Sequence, residues 1–166
     1  MTAEETFPYI DAGAQQAVSA IGAQQLAIDQ SPFRFGRESR DKEHKGWLSN
    51  RRVFPKPNNE CYMHDTGYFR QISREHFQIR QGEDGTYWLK DRGSSCGTWV
   101  NGKRLTADSD ECDLRNGDKI VVGTAESSYI YTFVTPHLPD NSDVEYLRDH
   151  ENSPGYAQAS VRSLAG

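Results

Sequence analysis

Turn pairs that contain glycine, set among short runs of β-branched and aromatic residues, constrain the fold of this chain more than any other feature. They stand at Asp84-Gly85, Asn101-Gly102 and Asn116-Gly117. The second pair suits a two-residue type I′ turn, because both central residues of that turn need a positive φ angle. The runs beside these pairs predict strands, at 76–80, 86–89, 98–100, 103–105, 119–123 and 129–134. No segment between residues 24 and 135 keeps a 3.6-residue apolar period over three turns, so the sequence predicts an all-β core.

Chain length and charge distribution predict one domain with an extension at each end. A typical domain holds about 100 to 150 residues, and this chain has 166. We interpret residues 1–23 as an N-terminal extension, 24–135 as the domain, and 136–166, with five acids and two bases, as a flexible tail. Residues 39–59 are predicted to be a long basic loop insertion. Between residues 34 and 56, eight Lys and Arg against three Asp and Glu give a local balance of +5 in a chain of net charge −5.

Composition argues against several classes of function. An acidic chain is not expected to coat nucleic acid, and no apolar run approaches the roughly 18 residues that a membrane span needs. The first ten residues lack the basic start and apolar core of a secretory signal, so we expect a cytoplasmic protein. Cys61, Cys96 and Cys112 show no CxxC spacing, and Cys61 with His64 supplies only half of a four-ligand zinc site. We therefore expect no disulfide, no metal and no cofactor.

Four motifs follow one another along the predicted domain. They are Phe35-Gly36-Arg37, Ser73-Arg74-Glu75-His76, the segment 91–102 with Ser95-Cys96-Gly97-Thr98 at its centre, and the segment 116–123. On these motifs the sequence resembles a forkhead-associated (FHA) domain, over about two thirds of the chain. The resemblance implies a SMAD/FHA-type β-sandwich of about eleven strands that binds phosphothreonine peptides through loops at one end and has no catalytic activity.

Arg37 is the candidate phosphate ligand. A phosphothreonine carries about −1.5 to −2 charges and three acceptor oxygens, and a planar guanidinium can donate two parallel hydrogen bonds to it. Gly36 beside it permits a backbone approach or conformation that a Cβ would block. Taken by composition alone, Arg37 would be an ordinary surface arginine at a strand end, since this residue type is mostly exposed.

The resemblance assigns roles in two further loops. Ser73 would donate its hydroxyl to the phosphate, Arg74 would either hold the peptide backbone or stay solvated, and His76 would bond loop backbone from within. Ser95 matches a position that binds the phosphate or the phosphothreonine main chain. Cys96 stands where an asparagine commonly hydrogen-bonds the peptide, and a thiol is a weak donor and acceptor, so this departure predicts a weaker contact. The residues expected to shape the site without touching the ligand are Gly36, His76, Gly97, Thr98, Asn101 and Gly102.

The sequence therefore predicts a phosphothreonine-dependent protein interaction module of signal transduction, which recruits partners phosphorylated by an upstream Ser/Thr kinase. It is not expected to be an enzyme, because the sequence has no glycine-rich phosphate loop, nucleophile elbow or HExxH spacing. The alternative is a degenerate FHA domain that acts as a phosphate-independent structural assembly module. Cys96 and the 39–59 insertion favour the alternative, whereas Arg37 and Ser73 favour phosphate binding. The insertion itself is either a ligand-contacting loop or a basic excursion without a role in binding.

Overall fold

The computed structural model describes residues 7–38 and 58–136, which form two β-sheets and one short helix. In chain order the elements are β1 (Tyr9–Ala12), α1 (Gln15–Ile21), β2 (Gln25–Ala27), β3 (Phe33–Arg37), β4 (Cys61–Met63), β5 (Phe77–Gln81), β6 (Tyr87–Asp91), β7 (Thr98–Val100), β8 (Lys103–Leu105), β9 (Cys112–Leu114), β10 (Lys119–Val122) and β11 (Ile130–Val134). In the part that is described, no helix is long and apolar enough to cross a membrane.

The strands form a six-stranded sheet in the order β2-β1-β11-β10-β7-β8 and a five-stranded sheet in the order β4-β3-β5-β6-β9. Neighbouring strands are antiparallel, except that β3 and β4 run parallel. The described residues thus contain eleven strands, which confirms the predicted all-β fold.

Apolar side chains on alternate strand positions fill the core. Phe77 and Ile79 of β5, and Tyr131 and Phe133 of β11, are fully buried, because successive residues of a strand point to opposite faces of its sheet. The ring of Phe35 stacks on that of Phe77 with centroids 4.3 Å apart. Together with buried residues of the six-stranded sheet, these side chains form one apolar cluster.

Both predicted hairpins are present. Gln81 pairs with Tyr87 across the β5–β6 turn, and Val100 pairs with Lys103 across the β7–β8 turn. Asn101 has a φ of 49° and Gly102 a φ of 82°, the two positive angles that a type I′ turn needs.

The predicted N-terminal extension in fact contributes to the sheet, so the interpretation of residues 1–23 is corrected from residue 9 onward. β1 lies between β2 and β11, and α1 buries Ala17 and Ala20 completely. β1 has only four residues, of which Ile10 and Ala12 are buried, which is too short a pattern to recognise in sequence. Its partner β11 is the last strand of the domain in sequence, so no local pattern indicates the pairing. Most of the predicted insertion (39–57) and the tail from residue 137 fall outside the described residues.

Candidate functional site

A cleft of about 420 Å³ opens at the end of the sandwich where β3 ends and β5 begins. Four arginines and two serines from three separate segments line it: Arg37, Arg70, Ser73, Arg74, Arg92 and Ser95. Glu75 is the one acidic side chain in its lining. Since positive charge gathered in a concave surface attracts anions, the cleft is suited to an anionic ligand.

Hydrogen bonds hold the three segments together. The Arg37 N–H donates to the Ser73 carbonyl oxygen over 2.8 Å and ties the end of β3 to the loop before β5. The Ser95 N–H donates to Ser73 Oγ over 3.0 Å. Ser73 Oγ therefore accepts from the neighbouring loop, while its own O–H has no acceptor among the described residues. That proton is available to a ligand oxygen, since a hydroxyl donates one hydrogen bond and accepts two.

Gly36 allows an approach between β3 and the Arg74 loop that no other residue permits. A Cβ at this position would lie 2.0 Å from the Arg74 carbonyl oxygen and 2.6 Å from Asn59 Nδ2. Asn59 is 3% exposed, donates to that same carbonyl over 2.8 Å and accepts from Arg92 Nη1 over 2.7 Å. The glycine predicted from sequence thus serves a close backbone approach rather than a left-handed conformation.

His76 joins two of the loops from inside the protein. The Ser73 N–H donates to His76 Nδ1 over 2.9 Å, so Nδ1 carries no proton and Nε2 donates to the Gly97 carbonyl oxygen, also over 2.9 Å. Burial lowers the pKa of His76 below its ordinary value of 6.5, which keeps the ring neutral. A neutral imidazole is required here, because a protonated ring could not accept from Ser73. The predicted structural role of His76 agrees with these bonds.

Asp91, the last residue of β6, shapes the loop between β6 and β7. It is 1% exposed and accepts hydrogen bonds from the N–H groups of Gly93 and Ser94, each over 2.9 Å. It also accepts from the hydroxyls of Ser94 and Thr98 over 2.5 and 2.8 Å. A buried carboxylate is very costly unless its oxygens are hydrogen-bonded, so these four bonds favour one loop conformation strongly.

The arginines of the cleft differ in what they contact. Arg92 donates to the Asn58 carbonyl oxygen over 3.3 Å and to Glu75 Oε1 over 3.4 Å, and burial lowers its pKa without removing its charge. Arg70 and Arg74 are exposed, and their side chains make no hydrogen bond or ion pair within the described chain. Arg92 therefore fixes the wall of the cleft, whereas Arg70 and Arg74 are available to a ligand.

Four of the predicted ligand residues meet in the cleft: Arg37, Ser73, Arg74 and Ser95. Cys96 does not line it, and its carbonyl oxygen accepts from Arg104 Nη2 over 3.4 Å. Asn101 and Gly102, which were expected to shape the site, lie at the far end of β7. There, Asn101 Nδ2 donates to Asp118 Oδ1 over 2.9 Å, so this turn supports the start of β10 instead.

Sequence reasoning missed four residues of the site: Asn59, Arg70, Asp91 and Arg92. Asp91 and Arg92 lie inside a motif that was recognised, and an acid two residues before a Gly-Ser-Ser run is a signal for side-chain bonds to loop backbone. Arg70 is one of two arginines within the five residues 70–74, and the two stand on either side of Ser73 in the sequence. Asn59 has no such signal, because its partners are 15 and 33 residues away.

A family model for the FHA domain matches residues 33–123, more than half of the chain. The chain belongs to the FHA family. In sequence, this FHA domain is similar to the serine/threonine-protein kinase RAD53 of Saccharomyces cerevisiae, with 39% identity over 77 residues. The matched segment is 46% of this chain and only 9% of the kinase.

Two solved structures illustrate the fold likeness. The FHA domain of an Arabidopsis thaliana protein has a TM-score of 0.52 and 22% identity, covering 81% of this chain and 89% of that one. The yeast Pml1 splicing factor has a TM-score of 0.54 and 16% identity, covering 80% of this chain and 81% of that one. At these identities the likeness shows a shared fold.

Proposed function

We propose that this FHA domain binds phosphothreonine segments of proteins that a Ser/Thr kinase has phosphorylated, and so recruits those proteins. The observation that carries the proposal is the convergence of Arg37, Ser73 and Ser95 on one cleft. They come from the end of β3, the loop before β5 and the loop after β6, and hydrogen bonds between these segments fix the backbone around them. Donors for a phosphate are thus assembled before any ligand arrives.

The donor set matches the chemistry of a phosphate monoester. The Arg37 guanidinium would form two parallel hydrogen bonds to phosphate oxygens, and the hydroxyls of Ser73 and Ser95 would bind the remaining oxygen or the adjacent main chain. Arg74 at the rim would add charge. Hydrogen bonds to charged groups contribute about 1.5 to 3 kcal/mol each, while association costs at least about 4 kcal/mol, so we expect micromolar affinity.

The similarity to a kinase does not transfer kinase activity. The matched segment covers only 9% of RAD53, and the family model that matches this chain is that of the FHA domain. We propose that this chain contributes binding without catalysis, and that any enzymatic consequence belongs to its partners. A cytoplasmic location stays a prediction.

The test is a titration of the whole chain with a phosphothreonine peptide library and its unphosphorylated counterpart, followed by fluorescence anisotropy. Arg37→Ala should weaken phosphopeptide binding at least tenfold, because it removes charge-assisted bonds. Arg115→Ala is the matched control. Arg115 follows β9, at the end of the five-stranded sheet opposite the cleft, and its side chain is 83% exposed.

Binding that ignores the phosphate and survives Arg37→Ala would contradict the proposal and identify the domain as an assembly module. Equal losses in the Arg37→Ala and Arg115→Ala variants would also contradict it, since the effect would then reflect net charge rather than the cleft.

A further inference from the structure

Two aromatic side chains in the loop between β4 and β5, Tyr68 and Phe69, are largely exposed to solvent. Tyr68 is 96% and Phe69 76% exposed, whereas the only other large hydrophobic exposed among the described residues, Phe7, is 37% exposed. The two rings contact each other edge to face, with centroids 4.9 Å apart and an interplanar angle of 87°. They form a small apolar patch, which we call the aromatic pair. Contiguous exposed apolar surface on a soluble domain commonly marks a binding surface.

The loop that carries the aromatic pair is fixed from beneath. Asp65 Oδ2 accepts from the N–H groups of Gln71 and Ile72 over 2.6 and 2.9 Å, which closes the loop. Asp65 Oδ1 accepts from the hydroxyl of Tyr129 over 2.9 Å, and the Tyr129 oxygen accepts from the Thr66 N–H, also over 2.9 Å. Tyr129 is fully buried. The loop that carries the rings is therefore held in one conformation before a ligand binds, so less conformational entropy is lost on binding.

The aromatic pair stands immediately before the residues that line the cleft. Phe69 is followed in sequence by residues 70–73, all of which line it. Four peptide links of about 3.8 Å join Phe69 to Ser73, so their Cα atoms are at most about 15 Å apart. An extended peptide advances about 3.4 Å per residue and would span this distance with four or five residues.

We propose that Tyr68 and Phe69 form a subsite that binds an aliphatic or aromatic side chain of the phosphorylated segment, within about four residues of the phosphothreonine. The proposal rests on the proposed function and adds a sequence preference to it. Such a side chain would lose water against the rings while Arg37 and Ser73 hold the phosphate. Aromatic residues are enriched among those that dominate binding energy at protein interfaces.

Charge argues for a peptide on this surface rather than a second copy of the chain. A symmetric contact through the aromatic pair would bring the same arginine-lined cleft of each copy close to the other. Like charges placed across an interface oppose association, whereas a phosphopeptide supplies the opposite charge.

The experiment uses one phosphothreonine peptide with alanine at the four positions on each side, and eight versions in which leucine replaces a single alanine. Affinities are measured by fluorescence anisotropy for the unaltered chain, for the Tyr68→Ala, Phe69→Ala double variant, and for Phe7→Ala. Phe7 precedes β1 at the end of the sheet where Tyr9 pairs with Val134, away from the cleft, and provides the matched control.

We expect leucine at one or two positions to tighten binding about tenfold over the all-alanine peptide, as burial of a leucine side chain predicts. The double variant should lose this gain and still bind the all-alanine peptide as the unaltered chain does. Phe7→Ala should keep the gain. Phe69→Ala alone is measured in parallel and gives the same comparison if the double variant does not fold.

The subsite is overturned if leucine tightens binding equally without the rings, or if leucine tightens binding at no position. In either case, phosphate-dependent binding of the all-alanine peptide leaves the proposed function standing. Loss of phosphate dependence in the unaltered chain overturns both. The aromatic pair could instead bind a second copy of the chain or a lipid surface. The subsite is overturned if removing the rings leaves the peptide preference intact but abolishes self-association in sedimentation, or abolishes binding to phosphatidylcholine vesicles.

Discussion

Replacing Gly36 with alanine tests whether the approach of β3 to the Arg74 loop builds the cleft. The added methyl group would lie 2.0 Å from the Arg74 carbonyl oxygen, which is backbone and cannot rotate away. Either β3 or the loop before β5 must therefore move. The movement would break the bond from Asn59 to that carbonyl and strain the neighbouring bond from the Arg37 N–H to the Ser73 carbonyl oxygen.

The size of the effect follows from these contacts. Each lost hydrogen bond removes about 0.5 to 1.5 kcal/mol, and a buried amide left without a partner costs a further 1 to 3 kcal/mol or so. Asn59 is 3% exposed, so water cannot easily replace its lost partner. The gain from a stiffer unfolded chain, about 0.4 to 1 kcal/mol, offsets part of the loss. We expect Gly36→Ala to lower the free energy of unfolding by about 2 to 4 kcal/mol.

Urea unfolding followed by tryptophan fluorescence measures the stability, and anisotropy with a phosphothreonine peptide measures the binding. Gly85→Ala is the control, because Gly85 has a φ of 84° in the β5–β6 turn but no atom within 4 Å of an added Cβ. It should lose about 1 kcal/mol from backbone strain and keep its peptide affinity. If Gly36→Ala is as stable as Gly85→Ala and binds peptide equally well, the close approach does not build the cleft.

Three further changes address single contacts. Burial lowers the pKa of His76, so below pH 6.5 a proton binds the unfolded chain in preference to the folded one, and stability falls as pH drops. Between pH 7.5 and 5.5, urea unfolding should show up to about 1.4 kcal/mol more loss of stability than in His76→Asn, and equal losses would contradict this. Asp91→Asn should cost about 1 to 3 kcal/mol in the same assay, because an amide cannot accept all the bonds that Ser94 and Thr98 now donate. Arg37→Lys should weaken phosphopeptide binding about tenfold in anisotropy titrations, since an ammonium keeps the charge but lacks the planar fork.

The parts of the fold that local chemistry determines could be predicted from the sequence. The turn at Asn101 and Gly102 needs only two residues that tolerate positive φ, and the register of β7 and β8 follows from it. β1 could not be recognised, because a four-residue strand becomes stable only through pairing with β11, far away in sequence.

The same division holds for the candidate site. Arg37, Ser73 and Ser95 stand in short motifs that a resemblance can identify, and all three line the cleft. Asn59 could not be found this way. It links the Arg74 carbonyl to the Arg92 guanidinium, and only the folded chain brings these two groups together. Cys96 stands in the same motif as Ser95 but does not line the cleft, so a position in a motif does not by itself place a residue there.

Salt dependence separates the local charge of the cleft from the charge of the whole chain. The net charge is −5, and repulsion of an anionic peptide by the whole chain would make added salt strengthen binding. Two acids outside the cleft lining are neutralised in ion pairs, however, with Glu60 bound to Arg34 and Glu111 to Arg80. Charges beyond a Debye length of about 8 to 10 Å are largely screened, so the arginines of the cleft should dominate. We expect phosphopeptide affinity to fall between 50 mM and 500 mM NaCl in anisotropy titrations, and a rise would show that the cleft does not hold the phosphate.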